Sequence, residues 1–202
     1  MNDTSPDEEL LTRWHAGDRQ AGAALVARHF DAIERFFVTK TNPQAAEDLV
    51  QIVFARCVEA ASRWRQTGTF RAYLYGLSRN VLLEHIRSRV RDGRSDDELH
   101  ESAVFDLGPG LHTQVAASAE RRHLVAALQR LPLDLQSLLE LAYWEEMSMD
   151  ELATTFGVPA GTIKSRLNRA RQLLKDALQT TPGTEDARAT SRRIVGEWHG
   201  PT

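Results

Sequence analysis

"MSMDELATTFGVPAGTIKSRLNRAR", Met147 to Arg171, contains two short helical patterns separated by Gly-Val-Pro. The first pattern runs from Met149 to about Phe156 and the second begins at Ala160. Ala153, four residues before Gly157, is small enough for two helices to cross closely there. Gly157 accepts a positive φ without the Cβ penalty, so a sharp turn fits at that point. Ile163 and Leu167 lie four apart and would pack the second helix on the first. Together these constraints predict a helix-turn-helix, whose second helix enters a DNA major groove. Its other face carries Thr162, Lys164, Ser165, Arg166, Asn168, Arg169 and Arg171. Hydroxyls and the helix N-terminus suit phosphate oxygens, whereas Arg and Asn can contact guanine and adenine edges. Some of these cations are expected to touch phosphate only.

Outward from this segment, the 202 residues allow one domain or two small ones, and 42% apolar content is enough to build cores. The formal charge of -3 conceals a strong asymmetry. Arg63, Arg65, Arg71, Arg79, Arg87, Arg89 and Arg91 face a single acid, Glu84, between Ala61 and Arg91. Lys164, Arg166, Arg169, Arg171 and Lys175 face no acid between Ala160 and Lys175. Two basic stretches in a chain of negative net charge point to two nucleic-acid surfaces. The lone Cys57 excludes a disulfide framework and a cysteine-rich zinc module, and its apolar company suggests an inert buried thiol. The acidic start, MNDTSPDEELL, has no signal-peptide pattern, and no run approaches a membrane span, so a cytoplasmic protein is expected.

The periodicity is helical wherever it is regular, so the expected fold is all-α. Helices are predicted from about Asp7 to His15, Arg19 to Thr39, Pro43 to Trp64 and Phe70 to Arg89. Asn42 is the expected N-cap of the third, with Pro43 at its first position. From Arg91 to about Ala117 the pattern is lost, as in a flexible linker. It resumes at Ala119, is interrupted at Pro132, and is strongly apolar from Leu135 to Trp144. After Thr181 it is lost again, so a disordered or weakly docked tail is expected, with Ile194, Val195 and Trp198 as its docking candidates. This arrangement divides the chain into a lead (1–15), a first helical domain (16–90), a linker (91–118), a second helical domain (119–180) and a tail (181–202).

The first basic stretch, SRWRQTGTFRAYLYGLSRNVLLEHIRSR, interleaves Trp64, Phe70, Tyr73 and Tyr75 with arginines. Rings that stack on unpaired bases and guanidinium groups that hold phosphates are what single strands require. The alternative is that Trp64, Phe70, Leu74 and Leu77 are core residues. Arg79 and Asn80 are harder to place in a core.

Taken in order, AEDLVQIVFARCVEAASRW, FRAYLYGLSRNVLLEHIRSR, a linker and LQRLPLDLQSLLELAYWEEMSMDELATTFGVPAGTIKSRLNRARQLLKDAL resemble the extracytoplasmic-function group of bacterial RNA polymerase sigma factors, within the sigma-70 family. The resemblance covers about Ala16 to Leu178 and implies a region 2 helical bundle joined to a region 4 helix-turn-helix. It implies an alternative sigma factor that directs RNA polymerase core to specific promoters and promotes melting and initiation. By this resemblance Glu47, Asp48, Gln51 and Ile52 fall on the surface that docks on the β′ clamp helices. Ile52 stands where the family usually has an acid, which either adds apolar contact or weakens the docking electrostatics. Trp64, Arg65, Phe70, Arg71, Tyr73, Arg79 and Asn80 fall on the minus-10 element reader. Thr162, Lys164, Ser165, Arg166, Asn168, Arg169 and Arg171 fall on the minus-35 reader. The implied partners are the polymerase core (β′ clamp helices and β flap), promoter DNA and an anti-sigma factor, with nucleoid association when active. No cofactor, metal or catalytic residue is implied. The acidic linker would either follow the RNA-exit path or serve as a plain tether, and removing Thr181 to Thr202 is expected to leave polymerase binding intact.

Two other classes fit less well. A stand-alone helix-turn-helix regulator would need a sensing pocket in the first half, where the Arg/aromatic stretch lies instead. An enzyme would need a motif, but the histidines are scattered and no metal-ligand spacing, nucleophile elbow or phosphate loop occurs.

Overall fold

The computed structural model describes residues 5–61, 68–91 and 119–198. Among them the chain forms only helices: α1 (Asp7–His15), α2 (Arg19–Val38), α3 (Pro43–Ala61), α4 (Phe70–Arg91), α5 (Ala119–Leu128), α6 (Leu133–Tyr143), α7 (Met149–Phe156), α8 (Ala160–Thr180) and α9 (Glu185–Gly196). None of these is long and apolar enough to cross a membrane. The linker and the Trp64–Arg65 pair lie outside the described residues.

Local chemistry explains the starts of most helices. Asp18 caps α2 by accepting from the amides of Gln20 and Ala21 at 2.9 and 3.2 Å. Asn42 does the same for α3 through the amide of Ala45, as the Asn-Pro pair led one to expect. Ser148 and Glu151 form a reciprocal capping box at the start of α7. Each cap satisfies amides that the first helical turn leaves without a partner.

The first bundle packs α1 on α2, and α2 and α4 on either side of the core shared with α3. The lead is part of this bundle, because Leu10 and Leu11 are fully buried and Asp7 pairs with Arg28 and His29 of α2. Gly22 permits this close approach: a Cβ there would lie 2.6 Å from the Trp14 indole nitrogen. The second bundle assembles α5, α6, α7 and α8, and α9 packs on α5 and α8.

The tail corrects the sequence reading. Thr184 caps α9 through the amide of Ala187, and the helix is docked rather than loose. Buried His123 lies between the carbonyl of Thr181, which accepts from Nε2, and the hydroxyl of Ser191. Trp198 stacks on Tyr143 with ring centroids 4.3 Å apart. Periodicity missed this because the buried contacts come mainly from small residues, Ala187 and Ser191, and from Val195, with Ile194 and Trp198 only partly buried.

The bundles also meet each other. Helix α4 packs on α7 as extensively as on α3. The buried apolar residues of both bundles form one continuous core cluster. Helix α4 is therefore covered on two sides, by its own bundle and by the other half of the chain.

Candidate nucleic-acid interface

Three groups of predicted site residues are separate in space. The first is α8. Gly157 adopts φ 63°, ψ 34°, closing α7 with its amide on the carbonyls of Ala153 and Thr154, and Pro159 precedes α8. Ile163, Leu167, Ala170 and Leu174 form the buried stripe of α8 and set its rotation. Lys164, Ser165, Asn168 and Arg169 are consequently exposed, and Thr162, Arg166 and Arg171 are half-buried. Ser165 donates to the Thr162 carbonyl at 2.9 Å, and Arg171 donates to the Asn168 side-chain oxygen at 2.8 Å. Among the described residues no carboxylate pairs with Lys164, Arg166 or Arg169. This helix presents an uncompensated cationic face shaped for a groove.

The second group is α4. Phe70 is not available to a base: it is 2% exposed and lies against His29 at 5.5 Å and Tyr73 at 6.3 Å between ring centroids. The core alternative, with Leu74 also fully buried, describes it better. Tyr73 is half-buried and Asn80 exposed. Arg71 and Arg79 point toward the second bundle. Arg71 grips Glu151 through Nε at 3.2 Å and Nη2 at 2.8 Å, and donates to the carbonyl of Glu145 at 2.9 Å. Arg79 holds Asp134 through Nε and Nη2, both at 2.9 Å, and lies over the Phe156 ring. Although burial opposes it, hydrogen bonds from Arg71, the Ser148 amide and Thr69 hold the Glu151 carboxyl down at about 2.

The third group is on α3, where Glu47, Asp48, Gln51 and Ile52 are all exposed. Leu49, Val53 and Cys57 fill the opposite side. Ile52 is 39% exposed, and Phe30 of α2, also exposed, stacks on Phe54 of α3 at 5.9 Å. Burial pushes the Cys57 thiol up to about 11, so it is inert near neutral pH.

Sequence reasoning missed the residues that join the halves. Lys40 is fully buried and pairs with Glu140 of α6, which also accepts from Thr39 at 3.0 Å and Gln136 at 2.9 Å. Burial pushes the Lys40 ammonium down, and Glu140 opposes that shift. A carboxylate inside the apolar run LQSLLELAYW was a signal that a buried partner exists. Nothing in the sequence named Lys40 as that partner.

Family comparison adds context to this geometry. The family described as Sigma-70 region 2 matches residues 25–92, and that described as Sigma-70, region 4 matches residues 121–174. The RNA polymerase sigma-H factor of Pseudomonas aeruginosa is 30% identical over 182 residues, which is 86% of this chain and 94% of that protein. The ECF RNA polymerase sigma-E factor of Escherichia coli K12 is 26% identical over 186 residues, covering 89% and 97%. Among solved structures, CnrH in complex with the cytosolic domain of CnrY shares the fold, with a TM-score of 0.64 at 23% identity over 86% of this chain and 97% of that one. RpoE in complex with the anti-sigma factor NepR from Bartonella quintana gives 0.60 at 25% identity, covering 77% and 94%.

Proposed function

The chain belongs to the extracytoplasmic-function group of the sigma-70 family of RNA polymerase sigma factors, and from that premise we propose how its surfaces divide the work. As an alternative sigma factor it directs polymerase core to specific promoters and promotes melting and initiation. Residues 16–90 act as region 2 and 119–180 as region 4, joined by 91–118. Helix α8 reads the minus-35 duplex through Thr162, Lys164, Ser165, Arg166, Asn168, Arg169 and Arg171. Helix α4 and the segment before it engage the minus-10 element through Trp64, Arg65, Arg71, Tyr73, Arg79 and Asn80, with Phe70 supporting them from the core. Glu47, Asp48, Gln51 and Ile52 dock on the β′ clamp helices of the core, and region 4 meets the β flap.

The work is binding rather than bond chemistry. Sigma factors act without catalysis of their own, and this chain gives the core its sequence preference by duplex readout and capture of unstacked bases. The protein acts in the cytoplasm. An anti-sigma factor is its regulator, a reading supported by the likeness to RpoE, which was solved with one.

The observation that carries the reading is the α7–α8 geometry: a Gly157 turn and a buried Ile163–Leu167–Ala170–Leu174 stripe aim a cationic face outward. Run-off transcription with purified core tests it. Discrete, template-dependent transcripts are expected only when the chain is present. Duplex binding with no core-dependent initiation would instead make it a stand-alone regulator.

A further inference from the structure

The shared region 4 bundle ends within α8, at residue 174, and α9 is an addition to it. The added helix lies on the side of that bundle formed by α5, α8 and Tyr143, the last residue of α6. The other sides of the bundle are in use. Helices α6 and α7 face the first bundle through Asp134 and Glu151. The groove-reading side of α8 keeps Lys164, Ser165, Asn168 and Arg169 in solvent. The side under α9 is therefore the one by which a protein can hold region 4 while α8 lies on DNA.

The grip of α9 on that side is narrow. Only Ala187, Ser191 and Val195, spaced four apart, are buried, with Ile194 and Trp198 partly so. Three of its 12 residues are thus buried, against nine of 22 in α4, so α9 is docked less deeply than a core helix. Along the contact Ser191 donates to the Glu120 carbonyl at 3.1 Å and stands 3.1 Å from Nδ1 of His123. The turn into α9 passes directly over the same ring, where a Cβ at Gly183 would lie 2.6 Å from His123 Cδ2. At the far end Trp198 stacks on Tyr143. Two polar atoms of the contact, Tyr143 Oη and Arg188 Nε, are buried with no hydrogen-bond partner among the described residues. Each forfeits part of what docking gains. This is the helix-in-groove mode of recognition, imperfectly satisfied.

We propose that α9 is a strap in cis: it occupies the surface by which region 4 meets the β flap, and the polymerase core displaces it to seat region 4. The proposal rests on the reading of the chain as a sigma factor whose region 4 meets that flap. The displacing segment of the core presents small side chains to α5 and an apolar or aromatic one to Tyr143, because those are the shapes that α9 supplies. Four residues, 181–184, tether the strap to α8. A short tether holds a segment at an effective concentration on the order of millimolar, so a narrow grip suffices to compete. The strap thereby lowers affinity for the core and leaves the DNA face of α8 untouched.

The test uses the full chain and its Val195→Asp variant, which puts a carboxylate into the buried stripe of α9 and undocks it. Amide hydrogen exchange of α9, read by mass spectrometry on wild type free and bound to purified core, needs no substitution. The α9 amides should be protected in the free chain and exchange freely in the complex. Anisotropy of the fluorescein-labelled chain reads its affinity for core. Val195→Asp should bind core about tenfold more tightly than wild type, since apparent affinity scales with the competent fraction. Its affinity for duplex DNA should not change. A synthetic peptide of residues 182–198, added in trans, should take the gain away. If Val195→Asp also loses duplex binding, Trp198→Ala, which removes only the stack on Tyr143, decides in its place with a smaller gain of the same sign.

An α9 that stays protected on the core overturns the proposal, and so does an undocked variant that binds core no more tightly than wild type. Run-off transcription by the wild type separates the failures. Specific initiation with either of those results means that only the strap falls. A wild type that neither binds core nor initiates means that the sigma-factor reading falls, and the strap with it.

Discussion

Replacing Glu140 by Ala tests the join between the halves most sharply. In the intact protein Glu140 accepts from Lys40, Thr39 and Gln136, and the Lys40 ammonium has 0% of its side chain exposed. Without the carboxylate, Lys40 keeps the Phe36 carbonyl and the Thr39 hydroxyl, both at 2.9 Å, the face of the Phe36 ring and the weaker attraction of the Glu145 charge. An uncompensated buried charge costs about 3–5 kcal/mol. The lysine can escape by releasing its proton, and from an unfolded pKa near 10.4 that costs about 4 kcal/mol at pH 7.5 (roughly 1.4 kcal/mol for each of about three units). The two routes agree, so Glu140→Ala should lose about 4 kcal/mol at pH 7.5. The escape also sets a sign. The folded variant then binds one proton fewer than the unfolded chain, so its stability rises by about 1.4 kcal/mol per pH unit up to about 10. Urea unfolding followed by far-UV circular dichroism at pH 7.5 and 9.0 measures both. If the halves separate before either unfolds, the transition splits and the loss falls on its first step. Lys40→Met/Glu140→Leu should be neutral or more stable than wild type, because it removes both ions together. A Glu140→Ala loss under about 1 kcal/mol would refute the view that Lys40 is buried as a paired cation, and a full loss independent of pH would mean that Lys40 keeps its proton in the variant.

Three further outcomes follow from particular contacts. Because the Glu151 carboxyl is held at about 2 against an ordinary 4.5, the stability it contributes through Arg71, Thr69 and the Ser148 amide is full above about pH 4.5 and is lost as pH falls through 2; urea unfolding across that window should show a smaller loss in Glu151→Gln than in wild type. Gly22→Ala should destabilise the protein by about 1–3 kcal/mol in thermal unfolding, since the new methyl meets the Trp14 ring at 2.6 Å. Lys164→Ala, Arg166→Ala and Arg169→Ala should each weaken duplex binding across sequences and lower the slope of log K against log salt by about 0.9 for every phosphate contact removed, read by anisotropy over a salt series.

The parts of this protein that sequence alone decided are those in which one short segment contains both the cause and the consequence. The α7–α8 turn needs only Ala153, Gly157 and the Ile163–Leu167 spacing, and these rotate the cations of α8 outward whatever the rest of the chain does. The same holds for the Asn42–Pro43 start of α3 and for the exposed Glu47, Asp48, Gln51 and Ile52, whose faces are fixed by the buried Leu49 and Val53 on their own helix. Phe70 shows the limit: a ring beside arginines suits base stacking or a core equally, and only its packing on His29 and Tyr73 settles the matter.

Tertiary structure decided what meets across long stretches of chain. Arg71 and Arg79 are basic residues on a helix face by any local reading, yet their partners Glu151 and Asp134 lie 80 and 55 residues away. Lys40 lies in the turn after α2 and would pass for a solvated cation, until Glu140, 100 residues on, closes over it. The tail joins through His123, Ser191 and a Tyr143–Trp198 stack, contacts too sparse to leave a periodic trace. Helical periodicity records which side of a helix avoids water. It does not record which distant surface does the covering, because many partners can bury the same face equally well.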